Sequence, residues 1–181
     1  MIDEHDLDLF PSHDPNVFKG NDVFDPNQTG VGGQPNGFDE MALLYNEYYV
    51  RGSQIKVMFI NQSTTENALV YVLPQRSSTI ADFDAGANQQ GAGPELVLDV
   101  RGSAKCIRTI KKYRSTRYMF GVTKNMFHST YASNVTTSPV DLWRWHVVSR
   151  NIDRTTATNI KVIVKLTYYV QFYDAKSDVA S

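Results

Sequence analysis

The chain has 181 residues, 41% of them hydrophobic, and eighteen basic against nineteen acidic residues leave a formal charge of -1. That length suits one domain, which at this size buries roughly 70% of its unfolded surface, and the even balance excludes the chain-wide basic excess that marks a general nucleic-acid binder. No apolar run nears the ~20 residues that cross a bilayer, the acidic start does not read as a signal peptide, and a lone cysteine, Cys106, excludes an internal disulfide; a soluble protein of a reducing compartment, without membrane insertion, is expected.

Residues 1–15 carry Asp3, Glu4, Asp6, Asp8 and Asp14 with no lysine or arginine. This acidic lead is expected to be irregular or an exposed arm, ahead of a single domain over 16–181. Residues 16–24 read as a first strand. The loop "GVGGQPNG" then brings Gly30, Gly32, Gly33 and Gly37 together, which is how phosphate-cradling loops begin. No Lys-Ser/Thr closes it, however, Pro35 interrupts the backbone N–H donors, and no parallel crossover follows, so conformational freedom is the better reading. One short helix near residues 38–46 follows: Asn36 or Gly37 can cap it, Asp39 and Glu40 suit its positive end, and Met41, Leu44 and Tyr45 share a face.

From there the pattern turns to strands. Ile55, Val57 and Phe59 alternate with Gln54, Lys56 and Met58, and 68–73 is a continuous apolar run closed by Pro74. The polar stretch 75–95 is too long for a hairpin turn and reads as a surface loop with a role. Short strands are expected at 96–100, 105–113 and 118–122. At 142–149, Trp143, Trp145 and Val147 take one face and Arg144, His146 and Val148 the other. The last strand is the cleanest, with Ile160, Val162, Val164, Leu166, Tyr168, Val170 and Phe172 opposite Lys161, Lys165, Thr167 and Gln171. Many short strands, one small helix and polar connections predict an all-β antiparallel sandwich or barrel, a jelly roll among the outcomes.

The one strong charge asymmetry lies between residues 101 and 124, where no acidic residue interrupts Arg101, Lys105, Arg108, Lys111, Lys112, Arg114, Arg117 and Lys124. Tyr113 and Tyr118 lie among them. The functional reading is a strip that contacts phosphate without reading sequence, with tyrosine stacking on exposed bases. The plainer reading is a solvated face that meets acidic residues of neighbouring copies, and alternation puts Lys105 and Lys111 opposite Arg108 and Lys112, so the strip cannot act all together.

Other candidates are weaker. The four histidines lack metal-ligand spacing, and no cofactor or metal is expected. Asp82-Phe-Asp84 could hold calcium, although such a pair is ordinarily turn chemistry. Cys106 reads as a small packed residue. Trp143 and Trp145 read as core, with a carbohydrate-binding platform as the alternative function. Ile163, Tyr169 and Tyr173, on the outer side of the last strand, suit a subunit interface. No acid-base or nucleophile constellation supports an enzyme.

"DPNQTGVGGQPNGFDEMALLYNEYYVRGSQIKVMF" resembles the N-terminal part of capsid proteins from circular, Rep-encoding single-stranded DNA viruses, the circovirus-like group. "DLWRWHVVS" and "LTYYVQFYD" resemble that family's closing strands, so the likeness covers 23–59 and 141–174. It implies a single viral jelly roll, self-assembly into an icosahedral shell of sixty copies (T=1) around a single-stranded DNA genome, a place in the virion with assembly in the host nucleus, and a surface open to a host cell-surface receptor. Gly33 stands where relatives carry histidine before Gln-Pro. The family's arginine-rich N-terminal arm has no counterpart in the acidic start, so either that arm was removed or the genome is condensed by other means.

Overall fold

In the last strand Ile160, Val162, Val164 and Leu166 are buried while Lys165 and Tyr169 are exposed, the signature of a strand with one face on a core. The computed structural model describes residues 2–5, 8–9, 16–28, 33–122, 130–154 and 158–177. Its elements are β1 (Ile2–His5), β2 (Asp8–Leu9), β3 (Asn16–Lys19), α1 (Phe38–Leu44), β4 (Tyr45–Asn61), β5 (Ala68–Gln75), α2 (Phe83–Ala87), β6 (Leu96–Leu98), β7 (Ile107–Ser115), α3 (Thr116–Phe120), β8 (Ala132–Asn134), β9 (Arg144–Asn151) and β10 (Thr158–Ala175).

The strands form two sheets, one ordered β1-β10-β4-β7 with β2 also on β10 and β8 on β4, the other ordered β3-β9-β5-β6. All pairings are antiparallel. The chain crosses between sheets from β2 to β3, β3 to β4, β4 to β5, β6 to β7, β8 to β9 and β9 to β10. That order in two facing sheets is a jelly roll. Two strands fall inside the acidic lead that the sequence presents as irregular, both paired to β10.

One core fills the space between the sheets, with Ile55, Val57 and Phe59 from β4, Val70 and Val72 from β5, Trp145 and Val147 from β9, and alternate residues of β10. Trp143 and Trp145 are both 0% exposed, their rings 5.2 Å apart at 68°. A buried indole needs an acceptor for its N–H. Trp145 Nε1 donates to Ser53 Oγ at 2.9 Å and Trp143 Nε1 to Thr116 Oγ1 at 3.2 Å, both acceptors lying on the opposite sheet or its continuation. A second cluster, of Val23, Phe38, Tyr48, Val50 and Val135, anchors α1 against the start of β4.

Three expectations need correction. Residues 118–122 are not a strand: α3 occupies 116–120, since Ser115 Oγ accepts from Tyr118 N at 3.2 Å and Gly121, at φ 67, closes the helix, a local capping signal that outweighs β-propensity. The helix α1 does not bury Leu44. Its buried anchor is Phe38, at the first position, and Leu43 and Leu44 face solvent. Pro74 lies inside β5, opposite Trp145, near the end of the strand where a missing N–H is tolerated. Of the glycine-rich loop, Gly37 has φ 88 and forms the N-cap of α1 without a side-chain bond, whereas Gly30 and Gly32 lie outside the described residues.

Gly20 is a position where only hydrogen fits. A Cβ there would meet the Trp143 ring at 2.4 Å, and that ring is fixed by burial and by its bond to Thr116. Gly20→Ala is therefore expected to cost about 1–3 kcal/mol through overpacking, read as a lower midpoint in urea unfolding, whereas Gly33→Ala, with open space around its Cβ, leaves the midpoint within error.

Candidate functional site

The outer face of the first sheet takes its shape from register. β7 pairs β4 with Lys111 opposite Lys56, and β4 pairs β10 with Lys56 opposite Lys165. Residues directly opposite share a face, so three lysines from distant parts of the chain form one row across the sheet. All three are exposed. Two residues along β7, Tyr113 stands on the same face, its ring 5.6 Å from Tyr169 of β10 at 79°. Gly52 of β4 makes room for it, since a Cβ there would lie 2.7 Å from the Tyr113 hydroxyl. Further along, β4 and β10 shift register between Tyr169 and Val170, which leaves Arg51 unpaired in the ladder; its guanidinium binds Gln171 Oε1 at 3.1 and 2.6 Å.

The inner side of β7 behaves differently. Arg108, Lys112 and Arg114 alternate with Lys111 and are half-buried. Lys112 Nζ donates to the carbonyls of Val72, Gly91 and Ala92. It thereby bridges β7 to β5 and to the connection that leads into β6. Burial, with Arg114 nearby, holds its pKa down at about 8. Arg114 Nη1 donates to Tyr113 O at 3.0 Å and its guanidinium lies over the Tyr118 ring at 5.5 Å. Arg101 and Lys105 are exposed in the turn between β6 and β7, and Arg117 is exposed on α3.

The basic run read from the sequence therefore divides three ways. Lys111 joins the lysine row, Lys112 is engaged with backbone carbonyls, and Arg101, Lys105 and Arg117 lie off the sheet face. Lys56 and Lys165, which complete the row, were missed because each stands alone among neutral neighbours in sequence. Of the interface candidates, Tyr169 is exposed, Ile163 is half-buried on the same outer face, and Tyr173 lines a surface pocket of about 280 Å³ with Glu47 and Val140. Burial and then a hydrogen bond with Glu47 push the Tyr173 phenol up to about 12.

The outer face of the second sheet is covered. α2 and the segments around it bring Ile80, Phe83 and Ala92 onto Tyr71, Leu73 and Val148, and Gly86 approaches Tyr71 so closely that a Cβ would lie 2.2 Å from its hydroxyl. Asp82 caps α2 by accepting from Ala85 N at 2.7 Å, and Asp84 pairs with Arg150 at 2.8 Å, so these carboxylates are occupied with turn and strand contacts. Under the same cover His146 is fully buried. Its Nε2 lies 3.0 Å from Ser77 O and 3.1 Å from Gln75 Nε2, and its Nδ1 has no partner. Burial lowers its pKa to about 4, against the Ser77 carbonyl that raises it, and Arg144 on the same strand lowers it further.

The buried indoles remove the tryptophan platform that a carbohydrate-binding reading needs. Cys106 is a free thiol of intermediate exposure, and among the described residues no three His, Cys, Asp or Glu side chains gather as a metal-ligand set.

No family model matches the chain, and no curated protein matches it in sequence. Among solved structures it aligns with one of desmodium yellow mottle tymovirus at 9% identity, over 100% of this chain and 88% of the other, with a TM-score of 0.49. A picornavirus capsid structure, of an expanded equine rhinitis A virus particle, aligns at 10% identity over 100% and 78% with a TM-score of 0.46. Sacbrood virus of honeybee, in an expansion state, aligns at 12% identity over 92% and 97% with a TM-score of 0.45. The fold assignment rests on the strand order.

Two outcomes follow from Lys112 and the buried His146. Lys112→Met keeps the stem but leaves three carbonyls without a donor, and a loss of about 3 kcal/mol is expected in chemical denaturation, against no measurable loss for Lys111→Met. The unfolded chain protonates His146 below a pKa of ~6.5, the folded chain only below about 4. The stability present above pH 6.5 is therefore lost as pH falls through that window, by about 3 kcal/mol in all. Thermal melts between pH 7 and 4 should show a slope that His146→Gln flattens.

Proposed function

We propose that the chain is a viral coat protein whose jelly roll packs against copies of itself into a closed icosahedral shell, sixty copies in its simplest form, around a single-stranded DNA genome. The observation that carries this reading is the pair of aliphatic groups left in water at opposite ends of a sandwich whose core is already closed. Leu43 is 75%, Leu44 60% and Val140 80% exposed, all near the start of β4, where Leu44 O accepts from Lys176 N and Val140 shares a pocket with Glu47 and Tyr173. At the far end of the same sheets Val97, Ile107 and Ile152 are exposed; Ile107 pairs with Ile60, and Ile152 N donates to Asn67 O.

Exposed aliphatic groups of this kind mark surfaces that another molecule covers. Two different groups on one subunit favour head-to-tail contacts, which close into rings and shells when the rotation between copies allows. The fold alone does not decide this, since jelly rolls also serve as lectin and cupin domains. The circovirus-like likeness of 23–59 and 141–174 supports the same reading, and it is the ground for the DNA genome and the sixty-copy number.

Electron microscopy and light scattering of the purified chain across salt and pH test it. Closed particles are expected, and Leu43→Asp with Val140→Asp is expected to give folded monomers with an unchanged circular dichroism spectrum. A wild-type chain that stays monomeric under every condition would overturn the proposal.

A further inference from the structure

We infer that the outer face of the β1-β10-β4-β7 sheet binds single-stranded nucleic acid, with Lys56, Lys111 and Lys165 holding the phosphate backbone across the strands and Tyr113 and Tyr169 offering ring faces to the bases. This deepens the coat-protein reading and rests on it for the source of the strand.

The first ground is the cost of the arrangement. Neighbouring strands lie about 4.8 Å apart, so the row brings three ammonium-bearing stems within about 10 Å. Like charges directly opposite one another destabilise a sheet. Among the residues from 16 onward whose side chains the structure describes, no carboxylate makes an ion pair with any of the three. Across the outward positions of β10, β4 and β7 from Ile107 to Ser115 there is no aspartate or glutamate. By backbone register the nearest acidic position is Glu4 of β1, opposite Ile163. A face of this kind is completed by a polyanion that lies along it, and lysine reads the backbone as a point charge, without sequence.

The second ground is independent of charge. Tyr113 and Tyr169 are 47% and 46% exposed, on the same face, Tyr113 about 7 Å and Tyr169 about 13 Å along their strands from the lysine row. Their edge-to-face contact fixes both rings while leaving their outer surfaces in water. Stacking on such rings needs bases that are not already stacked and paired, which single strands supply and duplexes do not. Acidic protein would satisfy the lysines but would leave the rings without a planar partner.

The test uses fluorescence anisotropy of labelled dT20, rU20 and a DNA duplex with the full chain and with its Leu43→Asp/Val140→Asp form, over a salt series. Both single strands are expected to bind, and the duplex at least tenfold more weakly. Lys56→Ala/Lys111→Ala/Lys165→Ala should weaken single-strand binding tenfold or more and reduce the slope of log affinity against log salt by about 2, since each phosphate contact contributes about 0.7 on a single strand. Tyr113→Leu/Tyr169→Leu should weaken binding by a similar factor while leaving the slope in place. Arg101→Ala/Lys105→Ala, off the sheet face, should change neither as strongly.

Wild-type affinity and slope in the triple lysine variant would overturn the inference, as would a preference for the duplex. Light scattering on the same preparations keeps the two readings apart. Particles that form while binding ignores the lysines sink this site and leave the coat reading standing; lysine-dependent binding by a chain that never assembles does the reverse. Should the triple alanine variant lose its fold by circular dichroism, Lys→Gln at the same three positions carries the same expectations.

Discussion

Two indoles hold the sandwich shut. Trp143 and Trp145 arrive on the strand side of the second sheet, fill the space between the layers, and send their N–H groups to hydroxyls that belong to the first sheet and its extension into α3. Thr116 in turn donates to Val50 O at 2.6 Å, so the first turn of α3, the middle of β4 and the entry to β9 are fixed to one another. A buried N–H without an acceptor is costly, and this requirement sets how the two layers slide relative to each other as firmly as the apolar packing does. Gly20 completes the seat by bringing backbone, with no side chain, against the outer ring of Trp143.

Once the layers are fixed in this way, the two outer faces diverge. The second sheet's face is closed by α2 and its flanking segments, and a neutral histidine and the tyrosine hydroxyl of Tyr71, which donates to Phe83 O at 3.0 Å, are sealed beneath. The first sheet's face is left bare, with lysines and tyrosines in water. A closed face carries stability and an open one is available for contact. The same division runs within a single strand: in β7, Lys111 points to solvent while Lys112, its neighbour, is drawn inward by three carbonyls. Adjacent lysines of one chemistry thus have opposite roles, because the pleat sends them to opposite sides of the sheet.

Much of the fold was legible because it is written at short range. Alternation marked β4, β7, β9 and β10, the two tryptophans at strand spacing announced the core, and Asp39 and Glu40 near Gly37 marked the helix expected near 38–46, which is α1 at 38–44; the two further short helices, α2 and α3, were not expected. The errors have local physical causes as well. At 118–122 aromatic and β-branched residues suggested a strand, yet Ser115 and Gly121 supply both caps of a helix. At α1 the apolar positions Met41, Leu44 and Tyr45 were read as sharing one face, whereas a helix of two turns held by Phe38 at its start leaves Leu44 outside the core. The stretch 75–95, read as a loop with a role, has a structural role, as the cover of the second sheet.

The candidate site was legible only in part. The sequence by itself determined that the strands exist, which of their residues face inward, and that the region around residues 101–124 carries unopposed positive charge. Only the tertiary structure decided which cations stand together. Lys56, Lys111 and Lys165 come from three separate strands, and nothing near any of them in the chain announces the others. Their alignment depends on the register of β4 against β7 and β10, and register is a property of the pairing between distant segments, fixed by the core they jointly bury; a slip of one residue would turn Lys56 into the core and dissolve the row.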